Sequence, residues 1–150
     1  MSKNYDSLIK GGTLATHEGA EPVDIAIKDG QFAALDRFSD SEVGEFADEV
    51  IDATGLTILP GVIDTQVHFR EPGLGAKEDL ESGSRAAVMG GVTAVFEMPN
   101  TKPPTTTAEA VAEKVALGQD RMHCDFAFYV GGTPDNAETL PDLEKLPGVC

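Results

Sequence analysis

Through the first 59 residues, apolar and polar positions alternate in short runs with a period of two. Val23, Ile25 and Ile27 alternate with Asp24, Ala26 and Lys28, and Asp29-Gly30 follows as a hairpin signal. YDSLIKGGTLAT predicts a strand with a turn at Gly11-Gly12. Residues 39–49, SDSEVGEFADE, read as an acidic loop. EVIDATGLTILPG predicts two more short strand pieces, broken at Thr54-Gly55. No helical period appears, so residues 1–59 predict a small β-rich domain.

After Pro60-Gly61 the pattern changes. VIDTQVHF reads as a strand and REPGLGAKED as a loop. LESGSRAAVMG suits a helix with a small-residue face (Gly83, Ala86, Ala87) that stops at Gly90-Gly91. VTAVFEM is a nearly continuous apolar strand, followed by the loop PNTKPPTT. Thr106 and Glu109 form a capping-box pattern, and Ala108, Val111, Ala112 and Val115 follow at helical spacing. HCDFAFYV predicts a third strand. Thr133-Pro134 predicts the opening of a short helix through about Lys145, and LPGVC the start of a fourth strand.

The order β-α-β-α-β-α-β with buried-type strands means a parallel sheet with helices packed outside. A doubly wound sheet and a (β/α) barrel both fit. The first strand lacks a following G-x-G-x-x-G, which weakens the dinucleotide-binding version. Three units and a strand start cannot close an eight-stranded barrel. Residues 60–150 are therefore expected to be the first three β/α units of a truncated barrel, the front part of a larger protein.

Composition narrows the function. With 41% hydrophobic and 25% charged residues the chain is of the soluble globular type, and no apolar run is long enough to span a bilayer. MSKNYDSLIKGG has no apolar core of a secretory signal, so a cytoplasmic location is expected. A net charge of −15 argues against nucleic acid or an anionic membrane as partner. It leaves room for a small anionic substrate, because a local Arg can outvote the global field. Cys124 and Cys150 suggest no disulfide framework, and Cys124 reads as a small buried hydrophobe on a strand.

Candidate chemistry sits on the first strand of the second region. Asp64, Gln66, His68 and Arg70 alternate with Ile63, Thr65, Val67 and Phe69. In a barrel, alternate side chains point inward and catalytic groups come from the C-terminal strand ends. Asp64 would then lie deepest and Arg70 at the mouth. Burying that row unpaired costs several kcal/mol, so a metal, a substrate or later residues are expected to compensate. The second strand ends in Glu97-Met98-Pro99-Asn100 on the same side, so Arg70 and Asn100 are expected to converge. The bland alternatives are a core or edge His68, an Arg70 salt bridge to Glu71 or Glu78, and a turn role for Asn100. His17 and His123 lack ligand spacing.

The spacing of Asp64, Gln66, His68, Arg70, Pro72 and Gly73, together with Met98-Pro99-Asn100-Thr101 inside GGVTAVFEMPNTKPP, resembles the N-terminal part of a cyclic amidohydrolase, most like a dihydroorotase. The resemblance extends over all 150 residues. It implies the front part of a (β/α)8 TIM-like barrel preceded by a small β-sandwich-type domain. It also implies a zinc-dependent hydrolase, with one or two Zn2+ ions, that interconverts dihydroorotate and N-carbamoyl-aspartate in pyrimidine biosynthesis. By the same resemblance His68 is a metal ligand, Arg70 and Asn100 bind the substrate carboxylate, and Asp64 orients the ligands from behind. That Arg and Asn combination favours dihydroorotase over allantoinase and dihydropyrimidinase.

Gln66 departs from the pattern, since it replaces the first histidine of the family and an amide oxygen is a poor zinc donor. It is a doubtful ligand. The departure motivates an alternative, a non-catalytic homologue acting as a scaffold for aspartate transcarbamoylase. A hydrolase of another cyclic amide, allantoinase-like or dihydropyrimidinase-like, is a third possibility. The carboxylated lysine, the later histidines and the catalytic aspartate of the family are expected after Cys150, so no catalytic residue is assigned within this segment. A homo-oligomer is the expected assembly.

Overall fold

The structure, a computed structural model, describes residues 4–39 and 46–150. The chain divides into two compact units, Met1–Pro60 and Gly61–Cys150.

The first unit holds strands β1 (Tyr5–Lys10), β2 (Thr13–Thr16), β3 (Gly19–Pro22), β4 (Asp24–Lys28), β5 (Gln31–Asp36), β6 (Ala47–Asp52) and β7 (Thr57–Ile58). They form a four-stranded sheet, β5-β4-β1-β6, and a three-stranded sheet, β3-β2-β7. The β4–β5 hairpin turns at Asp29 and Gly30, both with positive φ (51° and 73°), as an Asp-Gly turn requires. Leu8, Ala26 and Ala47 form the buried core, with Tyr5, Ala34 and Phe38 packed against it. Asp24 is buried among them. Burial alone would raise its carboxyl, but the N–H groups of Gly11 (2.8 Å) and Phe38 (3.0 Å) and the Lys10 ammonium outweigh it and hold the pKa below the ordinary value. The acidic loop expected over 39–49 lies partly outside the described residues, at 40–45. Its end is not a loop, because Ala47–Glu49 already run parallel to β1 and Ala47 is buried there.

The second unit alternates strand and helix: β8 (Val62–Val67), α1 (Leu80–Met89), β9 (Val92–Glu97), α2 (Ala108–Gly118), β10 (Asp125–Phe128) and α3 (Leu140–Leu143). Its strands form one parallel sheet in the order β10-β9-β8. Phe69, Leu80, Val95 and Phe128 make the buried core between sheet and helices. Helix α1 begins at Asp79, whose carboxylate accepts the Ser82 N–H at 2.8 Å, and ends at Gly90. Gly83 lies against the Phe69 ring, where a Cβ would collide. Ala86, expected on the same packed face, is exposed.

Three local expectations are corrected. The cap of α2 is Thr107, which accepts the Ala110 N–H at 3.2 Å, one residue later than the expected Thr106. Thr106 packs its methyl against Gly131 and gives its carbonyl to Asn136 Nδ2 at 2.8 Å. The helix expected from Thr133 shrinks to Leu140–Leu143. Asn136 folds the preceding segment into turns, accepting the Thr133 N–H (2.7 Å) and donating to the Gly131 carbonyl (2.9 Å); such side-chain bonds compete with helix. LPGVC makes one bridge, Val149 to Phe128, rather than a strand. Among the described residues no helix is long and apolar enough to cross a membrane.

Candidate functional site

Because β8 and β9 are parallel neighbours, their C-terminal ends open on the same side, and the segments 68–70 and 98–100 follow directly. Val62 stands opposite Val92 and Val67 opposite Glu97, with an irregular step between. β8 is the outer strand of its sheet. Asp64 and Gln66 are therefore exposed, as are Ile63 and Thr65 on the other face, while His68 and Arg70 are half-buried. The expected burial of the polar row is not observed among the described residues. Asp64 accepts the backbone N–H of Gln66 at 3.0 Å, a local bond within its own strand.

The structure brings His68 and Asn100 together, with His68 Nδ1 2.9 Å from Asn100 Oδ1. An amide oxygen only accepts, so Nδ1 is the donor, and in the neutral imidazole Nε2 then carries the lone pair. Asn100 thus has His68 as its side-chain partner, at the same strand ends that carry Arg70. The Arg70 guanidinium forms no hydrogen bond or ion pair among the described residues. Its backbone is left-handed, with φ 65°. The expected alternative of a salt bridge to Glu71 does not occur, because Arg121 holds both Glu71 oxygens at 3.0 Å.

The two loops that carry these residues are tied to each other. The Lys102 N–H donates to the Pro72 carbonyl at 3.0 Å. Gly73, with φ 90°, packs against the Lys102 carbonyl, where a Cβ would collide. On the second loop, buried Thr101 donates to the Pro103 carbonyl at 2.9 Å, and the Thr105 N–H to the Pro99 carbonyl at 2.9 Å.

Behind the site lies an ion pair that the sequence pattern had not suggested. Lys114 Nζ is 2.8 Å from Glu97 Oε2, and both side chains are 1% exposed. No well-formed hydrogen bond reaches either Glu97 oxygen, although the Lys114 ammonium and the Phe69 N–H stand close enough to pull its pKa down. Lys114 also reaches the Met98 carbonyl (3.4 Å) and stands over the Phe128 ring, 5.1 Å from its centroid. Burial pushes the Glu97 carboxyl up against the opposing pull of Lys114, and pushes the Lys114 ammonium down. The available signal was Lys114 lying three residues beyond Val111 on the apolar stripe of α2, and Glu97 in an otherwise apolar strand.

His123 pairs with Glu81 (Nε2 to Oε1, 3.0 Å), and exposed His17 lies beside Glu18. Neither belongs to the site. Cys124 is half-buried just before β10, and burial pushes its thiol up. Among the described residues no three His, Cys, Asp or Glu side chains come together to hold a metal ion. His68 Nε2 fits one ligand position, and Gln66 offers a neutral amide. This is short of the four donors of a zinc site.

A model of the amidohydrolase family matches residues 57–140. An allantoinase of Deinococcus radiodurans is 38% identical over 143 residues, which cover 95% of this chain and 31% of that protein. An L-hydantoinase of Paenarthrobacter aurescens is 39% identical over 144 residues, 95% of this chain and 30% of that protein. The solved L-hydantoinase (dihydropyrimidinase) from Arthrobacter aurescens matches with a TM-score of 0.86 and 37% identity, over 93% of this chain and 31% of that one. A D-hydantoinase structure matches with a TM-score of 0.77 and 29% identity, over 95% and 31%. The chain thus spans about a third of the length of the relatives it matches. With more than half of its residues under that family model, and with parallel strands followed directly by His68 and, three residues on, Asn100, this chain belongs to the amidohydrolase family.

Proposed function

We propose that the protein belongs to a metal-dependent hydrolase that opens the amide bond of a small cyclic ureide, of the allantoin, hydantoin or dihydropyrimidine kind. The names of the relatives support that substrate class. The observation that carries the reading is the His68–Asn100 pair at the ends of two parallel strands, because it fixes one imidazole tautomer and leaves Nε2 as a donor. His68 is proposed as one zinc ligand, with Asp64 behind it and Gln66 a weak donor at most. The remaining donors would come from outside these 150 residues. A bound metal supplies a polarised carbonyl and an activated water.

A second reading is favoured by Arg70. A half-buried guanidinium left without a carboxylate suits a ring that carries its own carboxylate, which points to dihydroorotate. Turnover by the full-length, metal-replete protein on hydantoin, allantoin, dihydrouracil and dihydroorotate separates the readings. Preference for the neutral rings supports the first. Preference for dihydroorotate, with a loss on Arg70→Ala of about 2–5 kcal/mol in transition-state stabilisation, supports the second. Turnover on none of them favours the non-catalytic scaffold for aspartate transcarbamoylase. A homo-oligomeric, cytoplasmic protein is part of the same proposal.

A further inference from the structure

The residue after Arg70 is held far more firmly than a surface loop requires. Glu71 Oε1 accepts from Arg121 Nη1, and Oε2 from both Arg121 Nη2 and the Leu80 N–H, each at 3.0 Å. Arg121 is itself fixed, since its Nη1 donates to the Leu117 carbonyl at 3.0 Å and its N–H to the Gly118 carbonyl at 3.1 Å. The clamp therefore joins the end of α2, the start of α1 and the loop that follows β8. Arg70 sits at its edge with φ 65°, a conformation that costs a non-glycine residue about 1–2 kcal/mol and needs support from its surroundings. The clamp also occupies the carboxylate adjacent to Arg70. A released Glu71 would be free to neutralise the Arg70 guanidinium.

We propose that Arg121 is a positioning residue for Arg70: by holding Glu71 it fixes the left-handed turn and keeps the Arg70 guanidinium open for an anionic group on the substrate ring. This rests on the reading of Arg70 as the carboxylate contact. Burial alone would raise the Glu71 carboxyl, but Arg121 and the Leu80 N–H outweigh it and hold it below its ordinary value, so the clamp stays charged.

The test measures dissociation constants of the full-length protein for dihydroorotate and dihydrouracil, rings that differ by one carboxylate. Arg121→Gln should weaken dihydroorotate about tenfold relative to dihydrouracil, as a loss of coupling of this kind does. Arg121→Lys should recover part of the loss, and Glu71→Gln, which loosens the turn but removes the competing carboxylate, should give a smaller shift in the same direction and tests the turn should Arg121→Gln fail to fold. Added to Arg70→Ala, Arg121→Gln should produce no further loss. Equal weakening of both ligands, or an unchanged ratio where Arg70→Ala does change it, overturns the inference alone. An unchanged ratio on Arg70→Ala, or a parent protein with no preference for the carboxylate, overturns the reading of Arg70 and the inference with it.

Discussion

Replacing Lys114 with methionine removes one member of the buried pair behind the site. At 2.8 Å and an effective dielectric constant of about 20, the attraction between Lys114 and Glu97 is about 6 kcal/mol. Taking the two ions out of water costs several kcal/mol each, so the intact pair contributes close to nothing net. The single variant is different, because it leaves Glu97 buried with no cation and should cost about 3–5 kcal/mol at neutral pH. Lys114→Met combined with Glu97→Leu should recover most of that. The pH dependence has a definite sign. Burial already raises Glu97, and the loss of Lys114 removes the chief opposing influence. A carboxyl whose folded pKa lies above its unfolded value loses stability as the pH rises from the unfolded pKa to the folded one. The deficit of Lys114→Met should therefore be largest at neutral pH and shrink as the pH falls below the folded pKa of Glu97. Urea unfolding of the full-length parent, the two single variants and the double variant, at pH 7 and at about pH 5, measures this. A single variant within about 1 kcal/mol of the parent, or a double variant as unstable as Lys114→Met, would refute the reasoning.

Three further outcomes are expected. Gly73→Ala forces a Cβ onto the Lys102 carbonyl at a positive φ and should destabilise by about 1–3 kcal/mol; denaturation midpoints within error of the parent count against the loop packing. Asn100→Leu removes the acceptor for His68 Nδ1 and should lower metal affinity about 10–100-fold, read by competition with a chelator. Unchanged affinity denies the orienting role. Gln66→His should raise or preserve metal content with activity kept, since imidazole is the better zinc donor, and collapse of activity would give the amide a positive role.

Much of the architecture was legible because it is written locally. Period-two runs mark the strands, the Asp29-Gly30 turn marks its hairpin, and Gly90-Gly91 ends α1. What was not legible depends on partners distant in sequence. Arg121 lies fifty residues from Glu71, and no periodicity announces the pairing. Lys114 looks like one more solvated lysine until α2 is packed on the sheet and Glu97 is found against it. The helix expected from Thr133 failed for a local reason: a Thr-Pro start is a good cap signal, but Asn136 two residues beyond Pro134 diverts the backbone into turns. Asn100 was placed correctly at the strand end. Its hydrogen bond to His68 was not foreseen, because spacing gives an address and says nothing of which amide atom faces which neighbour.

The segment Arg70-Glu71-Pro72-Gly73 shows how a functional motif divides its labour. Glu71 ties the loop to Arg121 and α1, the Pro72 carbonyl ties it to Lys102, and Gly73 makes room for that contact. None of the three needs to touch a substrate to be required. Their combined effect bears on charge as well as shape. This chain has 26 acidic residues against 11 Lys and Arg, so a guanidinium has carboxylates to choose from. Lys10, Lys28, Arg85, Lys114, Arg121 and Lys145 each stand against one. Arg70 is half-buried and does not, although Glu71 is its immediate neighbour. Keeping a cation open in such surroundings requires that the nearest acid be committed elsewhere, and the bidentate Arg121 contact does that.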